Sequence, residues 1–181
     1  MPLPRDESYT IEDIYKLPEG QRAELIDGQI YNMTPPNRIH QRLVSQISKV
    51  IGNHIDSNNG SCEVYPSPFA VFLNADDKNY VEPDISIICN TNNLSDRGCE
   101  GAPDWIIEIT SPSTQKMDYG IKLFKYRTAG VQEYWIVNPQ KQIVNVYDFK
   151  SDQTTGLYSF DDSIPVGIYP GFSIRIIDLL R

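Results

Sequence analysis

The sequence predicts an α/β fold, a mixed sheet flanked by helices with antiparallel hairpins toward its N- and C-terminal parts. Three observations carry that prediction. From Asp104 to Asn138 a strand, a helical stretch and a second strand follow one another with no room for a hairpin, which implies a right-handed parallel crossover. Asp27-Gly28 stands between two short alternating segments, the strongest short-range hairpin signal. Two further strands read as near-continuous apolar runs, as strands covered on both faces do.

In chain order, Thr10-Ile11-Glu12-Asp13 resembles a capping box, and Ile11, Ile14, Tyr15 and Leu17 recur at helical spacing until Pro18 and Gly20. The hairpin spans Glu24 to Tyr31. Pro35 and Pro36 interrupt the chain, and Asn37 is placed to cap a long helix whose apolar face is Leu43, Val44, Ile47, Val50, Ile51 and Ile55. Asn58-Asn59-Gly60 turns into Glu63–Leu73, a strand that Pro66 and Pro68 confine to an edge or a bulge. Asn74–Asn79 is a polar turn, Val81–Cys89 a strand, Asn90–Pro103 a loop, and Asp104–Thr110 the next buried strand. A helix is expected from Gln115 to Ala129, closed by Gly130. Met117, Ile121 and Phe124 of that helix are expected against the sheet. Glu133–Asn138 is a core strand, Ile143–Phe149 follows a turn at Pro139, Leu157–Phe160 adds an edge, and Phe172–Leu180 closes the chain as a strand or short helix.

With 181 residues there is room for one domain, 1–181, with a substantial core. A formal net charge of -8 is poor for unspecific nucleic-acid binding, although a local basic lip or bound divalent ions can offset it. Cys62, Cys89 and Cys99 show no paired spacing, so neither zinc nor a disulfide is expected and a reduced, cytoplasmic setting fits best. The segment Met1–Glu7 is polar and lacks the apolar stretch of a secretion signal, and no run approaches the roughly 20 apolar residues of a membrane span, so no membrane partner is expected.

The chemistry points to carboxylates. Strand alternation sets Glu82 and Asp84 on one face, and Asp104, Ile106, Glu108 and Thr110 on one face. A buried carboxylate is costly without a cation or several donors. Asp84 and Glu108, if they face the same layer, can share a hard cation, Mg²⁺ or Mn²⁺. On the helix after Glu108, Asp118, Lys122, Lys125 and Tyr126 share one side, and the Lys122 ammonium can turn toward the pair. Glu24 can fold over the site, and Asp118 can hold Lys122. His40 is open between a contact to substrate or Glu24 and a local hydrogen bond. Glu133, Trp105, Tyr134 and Trp135 read as structural, the aromatics as core or dimer-interface residues.

Glu24-Leu25-Ile26-Asp27-Gly28, His40-Gln41, Pro83-Asp84, Glu108 with Ser111-Pro112-Ser113-Thr114, and the string from Asp118 through Lys122, Tyr126 and Gly130-Val131 to Pro139 together resemble the Uma2 (DUF820) family. The resemblance spans nearly the whole chain and implies the restriction-endonuclease-like fold of the PD-(D/E)XK superfamily. It implies metal-dependent hydrolysis of phosphodiester bonds, DNA as the nucleic-acid substrate, and a homodimer. Pro83-Asp84 matches the motif's first step and Glu108 its second acid. Thr110 stands where the motif has Lys, and Lys122 matches the helix lysine that takes over in this family; Glu24 matches the acid contributed ahead of the motif. The departure at Thr110 and the acidic balance sustain a rival: a non-catalytic nucleic-acid- or protein-binding module on the same fold. A phosphodiesterase acting on a small nucleotide is a third reading.

Overall fold

The structure is a computed structural model that describes residues 8–151 and 156–181. The polar segment Met1–Glu7 lies outside the described residues. A short helix, α1 (Ile11–Tyr15), starts where the Thr10 backbone N–H donates to Asp13 Oδ2 at 2.8 Å, one half of the expected capping box. The hairpin is β1 (Ala23–Ile26) and β2 (Gln29–Asn32), and its turn residues Asp27 and Gly28 both have positive φ, 50° and 75°, as a two-residue turn of that twist requires. Helix α2 (Arg38–Ser57) begins at Asn37, whose side chain accepts the His40 N–H at 2.9 Å.

The chain continues through β3 (Glu63–Pro66), β4 (Val71–Phe72), β5 (Ile85–Ile88), β6 (Leu94–Ser95), β7 (Gly98–Glu100) and β8 (Trp105–Ile109). Helices α3 (Gln115–Asp118) and α4 (Ile121–Ala129) lead to β9 (Glu133–Asn138), β10 (Ile143–Asp148), β11 (Gly156–Ser159), β12 (Ile164–Pro165) and β13 (Ser173–Ile174). Six strands form the central sheet in the order β11-β10-β9-β8-β5-β3. Only β8 and β9 pair in parallel within it, on either side of α3 and α4, so the predicted mixed sheet and crossover are both present.

The sheet is covered on both faces. On one, Leu43, Ile47 and Ile51 of α2 and Phe160, Ile164 and Ile176 from the C-terminal segment pack on Ile85, Ile87, Trp105, Ile107 and Trp135. On the other, Tyr126, Val131 and Ile26 pack on Ile106, Tyr134 and Ile136. Trp105 and Trp135 are fully buried and meet edge to face, with centroids 5.0 Å apart, which makes them core.

Five expectations are corrected. The helix expected over Gln115–Ala129 is broken at Gly120, whose φ of -114° and ψ of -101° are not helical. A Cβ there would stand 2.6 Å from the Lys116 carbonyl oxygen, so only glycine fits the break. The break re-phases α4, and Phe124 is 62% exposed instead of packed on the sheet. The strand expected from Val81 begins at Ile85, because Pro83 has no N–H for a ladder and Val81 bridges Val71. Glu63–Leu73 is two pieces: β3 is the sheet edge that its proline predicted, whereas β4 joins a separate sheet with β6 and β7, inside the stretch read as loop. Cys62 and Cys89, expected free, form a disulfide. The β3–β5 register pairs Glu63 with Ile88, so the next positions outward face each other across two strands. A separation of 27 residues gives no sign of that in the sequence.

Candidate nuclease site

The sheet register brings the two motif acids together. Antiparallel pairing of β5 and β8 sets Ile85 opposite Ile107, so Asp84 and Glu108 occupy the next opposed positions, on the α4 side of the sheet. The Asp84 N–H points at Glu108 Oε2 from 3.3 Å. Asp84 is fixed through its other end: Oδ2 accepts the Ile109 N–H at 2.7 Å and lies 3.1 Å from His40 Nε2. Among the described residues Asp84 Oδ1 has no protein donor, and the side chain is 15% exposed. One carboxylate oxygen is therefore anchored and the other left free toward the cavity.

Glu108 is held through both oxygens, Oε2 by the Asp84 N–H and Oε1 from α4. Its Oε1 accepts from Lys122 Nζ at 3.0 Å and from the Tyr126 hydroxyl at 2.6 Å. Lys122 also reaches Glu24 on β1, with Oε2 at 2.8 Å, and stands 4.0 Å from Asp118. Glu24 in turn accepts the Glu82 N–H at 3.0 Å. Glu82, expected on the face of Asp84, turns instead to Arg22 Nε at 2.8 Å and accepts the Tyr80 hydroxyl. All four predicted site residues, Glu24, Asp84, Glu108 and Lys122, thus line one cavity of about 580 Å³. Thr110 lies beside them, its hydroxyl 3.4 Å from the Thr114 hydroxyl and without charge.

Electrostatics here are unbalanced. Glu24, Glu108 and Asp118 surround a single buried ammonium. Burial pushes the Glu108 carboxyl well above its ordinary value; Lys122 pulls it back, and Asp84, Asp118 and Glu24 push it up further. Burial alone would lower the Lys122 ammonium, but Glu108, Glu24 and Asp118 hold it well above its ordinary value. Asp118 is raised by burial against the pull of Lys122. His40 is lowered by burial, yet its hydrogen bond and charge contact with Asp84 leave it raised overall.

An excess of negative charge in a pocket with oxygen donors suits a divalent cation. Among the described residues no three His, Cys, Asp or Glu side chains are arranged to cage an ion. Mg²⁺ does not need such a cage, since it is commonly held by one or two carboxylates with water and phosphate oxygens completing the shell. Asp84 and Glu108 fit that pattern.

Sequence reasoning named His40 and Tyr126 without fixing their roles and did not name Arg22. His40 was left between two roles and proves to be the partner of Asp84; Tyr126 shares Glu108 Oε1; Arg22 holds Glu82 and the Ser67 hydroxyl. His40 and Asp84 are 44 residues apart, and Arg22 and Glu82 are 60 apart, so no local spacing revealed either pair. Tyr126 was legible, since it lies one helical turn after Lys122 on the same side. Glu133, read as structural, is held by Trp135 Nε1 at 2.7 Å and by the N–H groups of Gly167 and Ile168.

A mixed sheet whose adjacent strands present Asp84 and Glu108, with a helix lysine on the second acid, defines a restriction-endonuclease-like fold with a nuclease-like site. The family model described as "Putative restriction endonuclease" matches residues 11–176, and the chain belongs to that family, Uma2. A crystal structure of a nuclease belonging to DUF820, so described with the qualifier "putative", from Anabaena variabilis ATCC 29413 superposes with a TM-score of 0.75. That protein is 25% identical, and the match covers 94% of this chain and 96% of the other. An uncharacterized protein of Synechocystis sp. is 28% identical over 135 residues, 74% of this chain and 70% of that protein.

Proposed function

We propose that this protein is a Mg²⁺-dependent endonuclease that hydrolyses phosphodiester bonds in DNA, with Mn²⁺ as an alternative ion. The observation that carries the reading is the opposed pair Asp84 and Glu108, which line a common cavity, with Asp84 anchored through one oxygen only. Asp84 and Glu108 would hold the ion, which supplies polarisation of a phosphodiester oxygen and a more acidic water when bound.

The chain's own groups do the rest. Lys122 supplies a fixed positive charge beside Glu108 that counters charge developing on the phosphate as water attacks in line and the P–O bond to the leaving oxygen breaks. Glu24 keeps the ammonium in place from the opposite side. His40 and the Ile109 N–H set the orientation of Asp84. On duplex DNA a pair of copies would place one site on each strand. Calorimetric titration with Mg²⁺ tests the reading: wild type binds, and Asp84→Ala and Glu108→Ala both lose binding while remaining folded. Unchanged binding in both variants sinks it.

One observation favours the non-catalytic reading. The Lys122 side chain is 7% exposed and already holds two carboxylates, the arrangement of an ionic lock, and Thr110 offers no replacement charge. In that case the fold binds nucleic acid or protein and cuts nothing, and binding survives in Glu108→Gln with no metal-dependent product in wild type.

A further inference from the structure

The cavity is acidic, yet three cations are immediate chain neighbours of residues that line it. Arg38 lies between Asn37 and Ile39, Lys116 one residue before Met117, and Lys141 one residue after Gln140; those four neighbours all line the cavity. Successive Cα atoms are about 3.8 Å apart, so the backbone of each cation lies within one residue of the cavity lining. All three are exposed, and their side chains have no ion-pair or hydrogen-bond partner among the described residues. Arg22, Arg97, Lys122, Lys125, Arg175 and Arg181 are each engaged by a carboxylate, whereas among the described residues Lys16, Lys49 and Lys150, away from the cavity, are as unpaired as the three.

Arg38 adds an independent sign. It is the first residue of a 20-residue helix with no acid in its first turn. A cation there opposes the helix dipole, which favours negative charge at that end. Among the described residues no carboxylate pairs with it. The rim segments between the three cations, Thr34-Pro35-Pro36-Asn37, Ser111-Pro112-Ser113-Thr114 and Pro139-Gln140, are uncharged.

We infer that Arg38, Lys116 and Lys141 form a collar that binds the phosphates flanking the bond presented to the cavity. The partner is a nucleic-acid backbone. The collar rests on the nuclease reading only for the direction in which the strand is presented; as a phosphate surface it serves the non-catalytic module equally. It also answers how a chain of net charge -8 engages a polyanion: attraction is local and confined to the mouth.

The test is the salt dependence of binding. A labelled oligonucleotide, single-stranded and as a duplex, is titrated by anisotropy from 50 to 200 mM KCl with EDTA present, so that nothing is cut. Wild type is compared with Arg38→Gln/Lys116→Gln/Lys141→Gln. A control triple, Lys16→Gln/Lys49→Gln/Lys150→Gln, removes the same charge at exposed or half-buried cations that neither line nor adjoin the cavity. The slope of log K against log salt falls by about 2.7 on duplex or about 2 on single strand for the collar variant, and stays near wild type for the control. Equal slopes in the two triples, or no binding by wild type to either oligonucleotide, overturn the collar. A lost slope without Mg²⁺-dependent cleavage keeps the collar and removes the nuclease. Cleavage that requires Asp84 and Glu108, with equal slopes in the two triples, does the reverse.

Discussion

Two buried glutamates on neighbouring strands differ in their surroundings, one saturated by neutral donors and the other crowded by charge. Glu133 on β9 and Glu108 on β8 are both nearly inaccessible, at 1% and 4%. Burial raises both above their ordinary value. Glu133 is surrounded by neutral donors, the Trp135 indole and the Gly167 and Ile168 N–H groups, and these tie the β12–β13 connection to the sheet. Glu108 has a cation on one oxygen and three further carboxylates nearby, more negative charge than its single lysine balances. The first arrangement is complete as it stands. The second leaves an excess of negative charge, which the proposed cation would balance.

That contrast can be broken by substitution. The largest stability effect belongs to Glu133→Ala, which orphans the buried Trp135 indole and removes the acceptor of the Gly167 and Ile168 N–H groups, and costs about 3 kcal/mol, roughly a 6–12 °C fall in Tm. Calorimetric melting checks it, and Mg²⁺ binding should be unaltered in the folded variant. A melt at the wild-type temperature would remove the structural role assigned to Glu133.

Glu108→Gln should move the other way, with stability unchanged or higher by on the order of 1 kcal/mol at neutral pH, because an unbalanced buried charge is removed. The sign follows from the raised Glu108 value. Between the ordinary carboxylate value of 4.5 and the raised folded value, the native state binds more protons than the unfolded one. Wild type therefore gains stability as pH falls through that window, and the advantage of Glu108→Gln closes toward pH 4.5. Melts from pH 5 to pH 8 read this out, about 1 kcal/mol at most being expected across the window. An advantage that grows with falling pH would reverse the assignment.

Tyr126→Phe deletes one hydroxyl from Glu108 Oε1 and leaves Lys122 in place. A loss of about 1–2 kcal/mol is expected, as for one hydrogen bond to a charged acceptor. Denaturant titration detects a change of that size. No change would mean that Lys122 alone fixes Glu108.

Much of the fold was legible because its signals are local. Asp27-Gly28, the Asn37 cap with its apolar stripe, and the run Glu133–Asn138 each carry their structure in a few adjacent residues. The break at Gly120 was hidden because a single glycine inside a helical pattern is ordinarily tolerated; only the Lys116 carbonyl close behind makes it a hinge. The Cys62–Cys89 disulfide and the start of β5 depend on which strands pair, which is a tertiary fact. Alternation set Glu108 and the helix period set Lys122 and Tyr126 toward one another, so half of the site could be read from spacing. His40 and Arg22 could not, since α2 and the β1 approach meet the site only after the sheet is assembled.

The central claim is that the opposed pair Asp84 and Glu108 performs metal-dependent phosphodiester hydrolysis. Its most direct test is the initial rate of cleavage of labelled single-stranded and duplex DNA, with Mg²⁺ and with EDTA, by wild type and by Glu108→Gln shown by its melt to be folded. The account predicts product only with Mg²⁺, and a rate lower in Glu108→Gln by about 10³-fold or more. Cleavage by Glu108→Gln at the wild-type rate would contradict it.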